Sequence, residues 1–135
     1  MESSLRELAM YRMERAFEML IAAEDNLKIG QYKTSLNRSY YVIFHAMRAA
    51  NIIKGFDSSK HSGVIAFFNK EYLKENIIDR KMSPIIKNSS FFREKSDYDD
   101  FFIASKKDAE NQYFILRKLP IYSSTLNHES IFIQT

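Results

Sequence analysis

The chain reads as an all-α protein, an up-and-down bundle of four to five helices. Three observations predict this. Its 135 residues include only 3 Gly and 2 Pro, too few turn-formers for a many-stranded sandwich or barrel. Apolar residues recur at spacings of three and four over most of the chain. Gly30 and Gly55 fall where the first two such stretches end, as glycines that close helices do. The length suits one domain, with the bundle expected over 1–119 and a C-terminal arm over 120–135.

The first segment predicts a helix over about Ser4–Ile29. Ser4-Leu5-Arg6-Glu7 fits a capping box, and Ala9, Met13, Ala16, Phe17, Leu20, Ala23 and Leu27 form the inward stripe. The outward face mixes Glu14, Glu18 and Glu24 with Arg12 and Arg15. The second helix is expected over Tyr32–Lys54. One stripe holds Leu36, Tyr40, Ile43, Phe44 and Met47; the opposite one holds Arg38, Tyr41, Val42, His45, Ala49 and Ile52. Both are largely apolar, so this helix is either central to the bundle or meets a second subunit. Tyr41, Val42, Ala49 and Ile52 are the expected face of a homodimer. A polar loop over Gly55–Gly63 leads to a third helix, Val64–Lys74, with Val64, Ile65, Phe68, Tyr72 and Leu73 inward. Ser83-Pro84 reads as the N-cap and first-turn proline of a fourth helix reaching about Lys95. Ser105 caps a fifth, with Ala109, Gln112, Tyr113 and Leu116 on one face. Pro120 is expected to stop it, and the tail to be an arm or a short extended piece.

Composition narrows the function. Hydrophobic residues make up 45% and charged residues 27%, the profile of a soluble globular chain rather than a disordered one. Absence of cysteine excludes a disulfide scaffold, an iron–sulfur site, a thiol nucleophile and any thiolate zinc site. No signal-like or membrane-spanning stretch is read, and a cytoplasmic setting is expected. A net charge of +3 permits a phosphate-bearing partner without demanding one.

Arg38 and His45 are seven residues apart on the second helix, which leaves them on one face. A histidine titrates near neutrality and can take or give a proton. An arginine can grip a phosphate at two points and stabilise the charge that builds on phosphorus. The pair suits metal-free cleavage of an RNA phosphodiester by the neighbouring 2′-hydroxyl. By spacing alone, an Arg–carboxylate pair and a core histidine bonded to a carbonyl are the commoner reading.

Arg38-Ser39-Tyr40-Tyr41-Val42-Ile43-Phe44-His45-Ala46 resembles the HEPN superfamily, whose mark is an Arg, four to six residues, then His. It is most similar to the small stand-alone UPF0332 type. That type has an Arg-x-Tyr-Tyr-x-x-Phe-His-Ala helix, a Lys-His-Ser-Gly-Val loop matching Lys60 to Val64, and an Arg-x-x-x-Asp-Tyr segment matching Arg93 to Tyr98. The resemblance implies a homodimer with two Arg/His motifs meeting at a cleft, and a toxin paired with a nucleotidyltransferase antitoxin. By position, Arg38 would orient the scissile phosphate and His45 would be the acid–base group. Ser39, Tyr41, Lys60, His61, Arg93, Asp97 and Tyr98 would support the site or bind substrate. Two positions depart from the pattern. Ser39 stands where active ribonucleases often have Asn, Asp or His, and Met47 where some toxins carry a tyrosine that is adenylylated.

Other residues read two ways. His61 could contact phosphate at a helix start, or simply cap the third helix. His128 reads as a lone solvated residue. Asp97, Asp99 and Asp100 lack calcium-loop spacing and suit turns; Arg93 and Asp97 can pair one turn apart. Tyr40, Tyr41, Phe91, Phe92, Phe101 and Phe102 could stack on bases, with Tyr40, Phe92 and Phe102 expected in the core. No metal and no cofactor are expected. The leading reading is a ribonuclease. The alternatives are a non-catalytic RNA- or nucleotide-binding module serving a nucleotidyltransferase, and a helical dimerisation protein without ligand.

Overall fold

Why the chain folds around its second helix is visible from how completely that helix is covered. The structure, a computed structural model, describes residues 2–125. Its helices are α1 (Glu2–Lys28), α2 (Tyr32–Ile53), α3 (His61–Phe68), α4 (Met82–Tyr98), α5 (Lys106–Leu116) and the short α6 (Pro120–Thr125). α3 is prolonged by one π-helical turn, Asn69–Leu73. No strand occurs among the described residues, which form an all-helical bundle. α2 touches every other helix. Both of its stripes are buried: Leu36, Tyr40, Ile43, Phe44 and Met47 on one side, Val42, Ala49 and Ile52 on the other.

Direction follows from the contacts. Ser35 donates to the Ala23 carbonyl at 2.8 Å, and Arg48 lies near Arg12 through a shared Asp57. Partner numbers rise on one helix as they fall on the other, so α1 and α2 run antiparallel. The same holds for α2 and α4, where Asn37 meets Asp97 and Tyr40 meets Arg93. The turn between α1 and α2 is a Schellman motif. Gly30 takes φ +80° while Gln31 N–H bonds the Asn26 carbonyl at 2.8 Å. Gly55, at φ +81°, ends α2 in the same way, with Phe56 N–H on the Asn51 carbonyl. A side chain at such a φ meets the next carbonyl, which is why glycine stands there.

Buried polar groups tie the helices together. Asn51 donates to the Val64 carbonyl at 3.1 Å, Ser89 to the Gln112 side chain at 3.0 Å, and the Tyr72 hydroxyl to the Ala50 carbonyl. The Ser105 hydroxyl accepts the Asp108 N–H at 3.0 Å, capping α5 as expected.

Several element expectations change. α1 already begins at Glu2, so Ser4–Glu7 lies inside it and forms no capping box. α3 starts three residues early, at His61. α4 starts at Met82 with Lys81 before it, so Ser83 is not its cap; Pro84 sits within the first turn, where a missing N–H is harmless. Pro120 opens α6 instead of leading into an arm, and Ile121 is fully buried. Residues 126–135, including His128 and most of the expected arm, lie outside the described residues. The dimer face drawn from Val42, Ala49 and Ile52 is already covered within the protomer.

Met47→Ala removes a fully buried side chain from α2 and is expected to cost about 2–5 kcal/mol. Ser105→Ala, losing one cap on a peripheral helix, should cost about 1 kcal/mol. Urea unfolding of the two variants measures the difference, and equal costs would contradict α2 as the centre.

Candidate functional site

From Ser39 to Ile52, every residue of α2 is buried except Tyr41, His45 and Arg48. Arg38 is likewise half-exposed, and the four are spaced three, four and three residues apart. Helical geometry puts such positions on one face. The narrow open strip of the central helix is therefore lined by two arginines, a histidine and a tyrosine.

His45 sits in a positive field. Burial and the neighbouring cations Arg15, Arg48 and Arg12, opposed only by Glu18, push its imidazole down to about 4. It is uncharged at neutral pH and able to accept a proton. Its ring lies 6.0 Å from Tyr41 and 5.9 Å from Phe44. Arg12 and Arg48 converge on Asp57, at 3.0 and 2.9 Å. Their pull holds the Asp57 carboxyl below its usual range, the Arg48 hydrogen bond being the largest cause. Arg15 pairs with Glu18 at 2.8 Å.

A second cluster gathers one side of the strip. Arg38 donates to the Asn37 side chain at 2.8 Å, and Asn37 donates to Asp97 at 3.3 Å. Asp97 also pairs with Arg93 at 3.5 Å, and Arg93 lies over the Tyr40 ring at 5.3 Å. Tyr40 shares a 2.6 Å hydrogen bond with His61 Nδ1. Burial pushes the Tyr40 hydroxyl up to about 12, so it keeps its proton. Burial, aided by Arg93, also lowers the His61 imidazole. Its ring stacks on Phe44 at 4.3 Å.

The expected residues thus separate into neighbourhoods. Arg93, Asp97 and His61 gather around Tyr40, and Arg38 is linked to them through Asn37. Tyr98 is 75% exposed, at the edge of Arg93. Lys60 is exposed just before α3, and the Lys60–His61 end of that helix has no side-chain cap, so His61 does not cap it. Ser39 is buried, its hydroxyl without a hydrogen-bond partner. Arg38 and His45 lie two turns apart, about 10 Å along the axis, and keep different neighbours. Among the aromatics, Tyr40 is buried as expected, Phe92 and Phe102 are half-buried, and Phe91 and Phe101 are exposed. Asp99 pairs with Lys95 and accepts the Phe101 N–H, turn chemistry as read. No cluster among the described residues could hold a metal ion, and no described helix is long and apolar enough to cross a membrane.

Arg12 and Asp57 escaped the sequence reading. Arg12 was expected on the outward face of the first helix but is buried. The loop after Gly55 folds over it, and helical spacing carries no signal of a loop from elsewhere in the chain.

The His45 ring protons should titrate in NMR near 4, well below the ordinary 6.5. An unfolded chain takes up this proton near 6.5 and the folded one only near 4. Stability is therefore expected to fall as pH drops through that window, less so in His45→Gln. A titration midpoint at 6.5 would contradict the positive field.

Residues 9–119 match the HEPN domain family. A protein of Methanocaldococcus jannaschii named as a candidate toxin is 31% identical over 82% of this chain and 73% of its own length. A second candidate toxin of that organism is 33% identical over 73% of each chain. A UPF0332 protein of Thermotoga maritima is 34% identical over 65% of this chain and 67% of its own. With the family matched over most of its length, and an Arg/His strip on the open face of its central helix, this chain belongs to the HEPN family, among members of the UPF0332 type.

Proposed function

We propose that the protein is a metal-independent endoribonuclease of the HEPN toxin type, acting as a homodimer. One observation carries the reading: the open strip of α2 is given over to Arg38, Tyr41, His45 and Arg48, while the rest of its middle is buried. A helix that hides its apolar residues and shows a histidine among arginines suits an anionic ligand. The two relatives named as candidate toxins support the toxin role.

In this reading the ribose 2′-oxygen attacks the adjacent phosphorus and the bond to the 5′-oxygen breaks. Uncharged His45 takes the 2′-hydroxyl proton and then delivers it to the departing 5′-oxygen. The products are a 2′,3′-cyclic phosphate and a 5′-hydroxyl, with no proton left over. Arg38 holds the non-bridging oxygens at two points as charge builds on phosphorus. An arriving phosphate also offsets the field of Arg12, Arg15 and Arg48, which raises His45 towards neutrality just when it must hold a proton.

Dimerisation would set the two groups closer. Arg38 and His45 of one protomer stand about 10 Å apart along α2, with Arg38 engaged by Asn37. Their numbers are symmetric about Tyr41 and Val42. Two antiparallel copies of α2 crossing there would set Arg38 of each opposite His45 of the other, as an isologous pair does. The interface is then the half-exposed strip, not the apolar residues already covered. A nucleotidyltransferase antitoxin is the proposed partner.

His45→Ala should lower RNA cleavage by about a hundred-fold or more, with the helix intact because alanine favours it. Arg38→Lys should fail too, since lysine keeps charge without the planar grip. The double variant should be little worse than either, because the two act in one step. Chelator should have no effect, and a 2′-deoxy sugar at the cut should block the reaction. A folded wild type that binds RNA but cleaves none would support the non-catalytic binding module, a reading that Ser39 in place of Asn, Asp or His favours.

Light scattering should show a dimer at high micromolar concentration, and Tyr41→Glu should shift it to monomer and abolish cleavage together. A monomeric wild type would rule out the shared site.

A further inference from the structure

The Arg12–Arg48–Asp57 cluster acts on the Arg38/His45 chemistry only through its field at His45, its own hydrogen-bonding groups having no part there, and it is unusual in its charge. Nη2 of Arg12 and Nη2 of Arg48 converge on the same oxygen, Asp57 Oδ1, at 3.0 and 2.9 Å. One carboxylate therefore serves two guanidiniums, and the cluster keeps one positive charge in excess. The Arg12 side chain is only 10% exposed, yet its Nη1 has no hydrogen-bond partner; neither has buried Arg48 Nε. A buried cation that is only partly paired is costly. The nearby groups do not settle the account. Arg15 is taken by Glu18, and His45 is uncharged at neutral pH.

Asp57 itself is 49% exposed. It sits on the loop after Gly55, next to Phe56, whose ring stacks on Phe67 at 4.1 Å. Two converging donors, Arg12 buried and Arg48 half-exposed, with further N–H groups unused and facing one half-exposed carboxylate, describe an anion position occupied by an internal anion. A phosphate offers three or four acceptor oxygens where the carboxylate offers two, and so can meet donors that Asp57 leaves idle.

We propose that Arg12 and Arg48 form a phosphate-binding subsite beside His45, occupied in the free protein by Asp57 and taken during binding by a backbone phosphate of RNA flanking the one cleaved. The choice of RNA as source of that phosphate rests on the ribonuclease reading; the subsite itself rests on the cluster.

The full-length protein is titrated with inorganic phosphate at constant ionic strength, followed by amide and Arg Nε–H NMR shifts. Asp57→Asn keeps the size of the side chain and removes its charge. It should bind phosphate several-fold more tightly than wild type, with the largest shifts at Arg12 and Arg48. Arg48→Gln should lose that binding. A purely structural clamp gives the opposite: Asp57→Asn lowers the melting temperature, and neither variant changes phosphate affinity. Should Asp57→Asn fail to fold, phosphate binding that is absent in wild type or unchanged in Arg48→Gln overturns the proposal. A second arm uses a short oligoribonucleotide with a 2′-deoxy sugar at the cut. Arg48→Gln should make its salt dependence shallower by about one phosphate contact; an unchanged slope would overturn the RNA source. Failure to cleave any RNA while the phosphate pattern holds would sink the ribonuclease and spare the subsite. Cleavage by a protein whose Arg48→Gln and Asp57→Asn variants bind phosphate as wild type does would sink the subsite alone.

Discussion

The enclosure of α2 governs the rest of this molecule. A helix whose two opposed stripes are both apolar has to be wrapped, and α1, α3, α4, α5 and α6 all touch it. Wrapping leaves one seam. The residues at that seam are the ones whose burial would be most expensive, because charged groups lose more on leaving water than aliphatic ones gain. Arg38, His45 and Arg48 therefore mark the opening by the same energetics that close the bundle elsewhere. The candidate site is what remains of α2 once its hydrophobic surface has been covered.

Helical periodicity made much of this legible. The stripe Leu36, Tyr40, Ile43, Phe44 and Met47 is buried as read, and so is the α5 face of Ala109, Gln112, Tyr113 and Leu116. Gly30 and Gly55 were readable as helix ends because a left-handed residue is a local property. What spacing could not show is which element covers a face. Val42, Ala49 and Ile52 looked like a dimer surface only because their intramolecular cover comes from elsewhere in the chain. Arg12 looked solvated for the converse reason. Helix starts were the weakest reading, since Ser4 and Ser83 have capping chemistry but lie within helices that begin earlier. In the candidate site, the Arg/His spacing was visible in the sequence; the arginine field around His45 depends on α1 and the loop at Asp57, and was not.

That field bears on chemistry as much as on stability. A histidine held near 4 starts every encounter uncharged, which is the form a base requires, but it is a poor proton acceptor until its surroundings change. In the proposed ribonuclease reading, a phosphate would bring negative charge next to Arg12, Arg15 and Arg48 and lower the cost of protonating His45. The resting protein is biased against carrying a proton there, through cations contributed by α1 as well as by α2.

His61 shows the same dependence of the surface on the interior. It shares a hydrogen bond through Nδ1 with Tyr40, a residue of the core stripe that is 2% exposed. Tyr40 keeps its proton because burial makes phenolate unfavourable. The stacking of His61 on Phe44, another core residue, fixes the plane of the ring. A histidine at the start of α3 thereby acquires a defined orientation from two side chains whose primary role is packing. Since Arg93 lies over the Tyr40 ring and is paired with Asp97, the link runs on through Asn37 to Arg38. A change in the packing around Tyr40 would therefore reach both His61 and Arg38, and His45 as well through Tyr41 and Phe44, although the cations that set its field come from α1 and from Arg48.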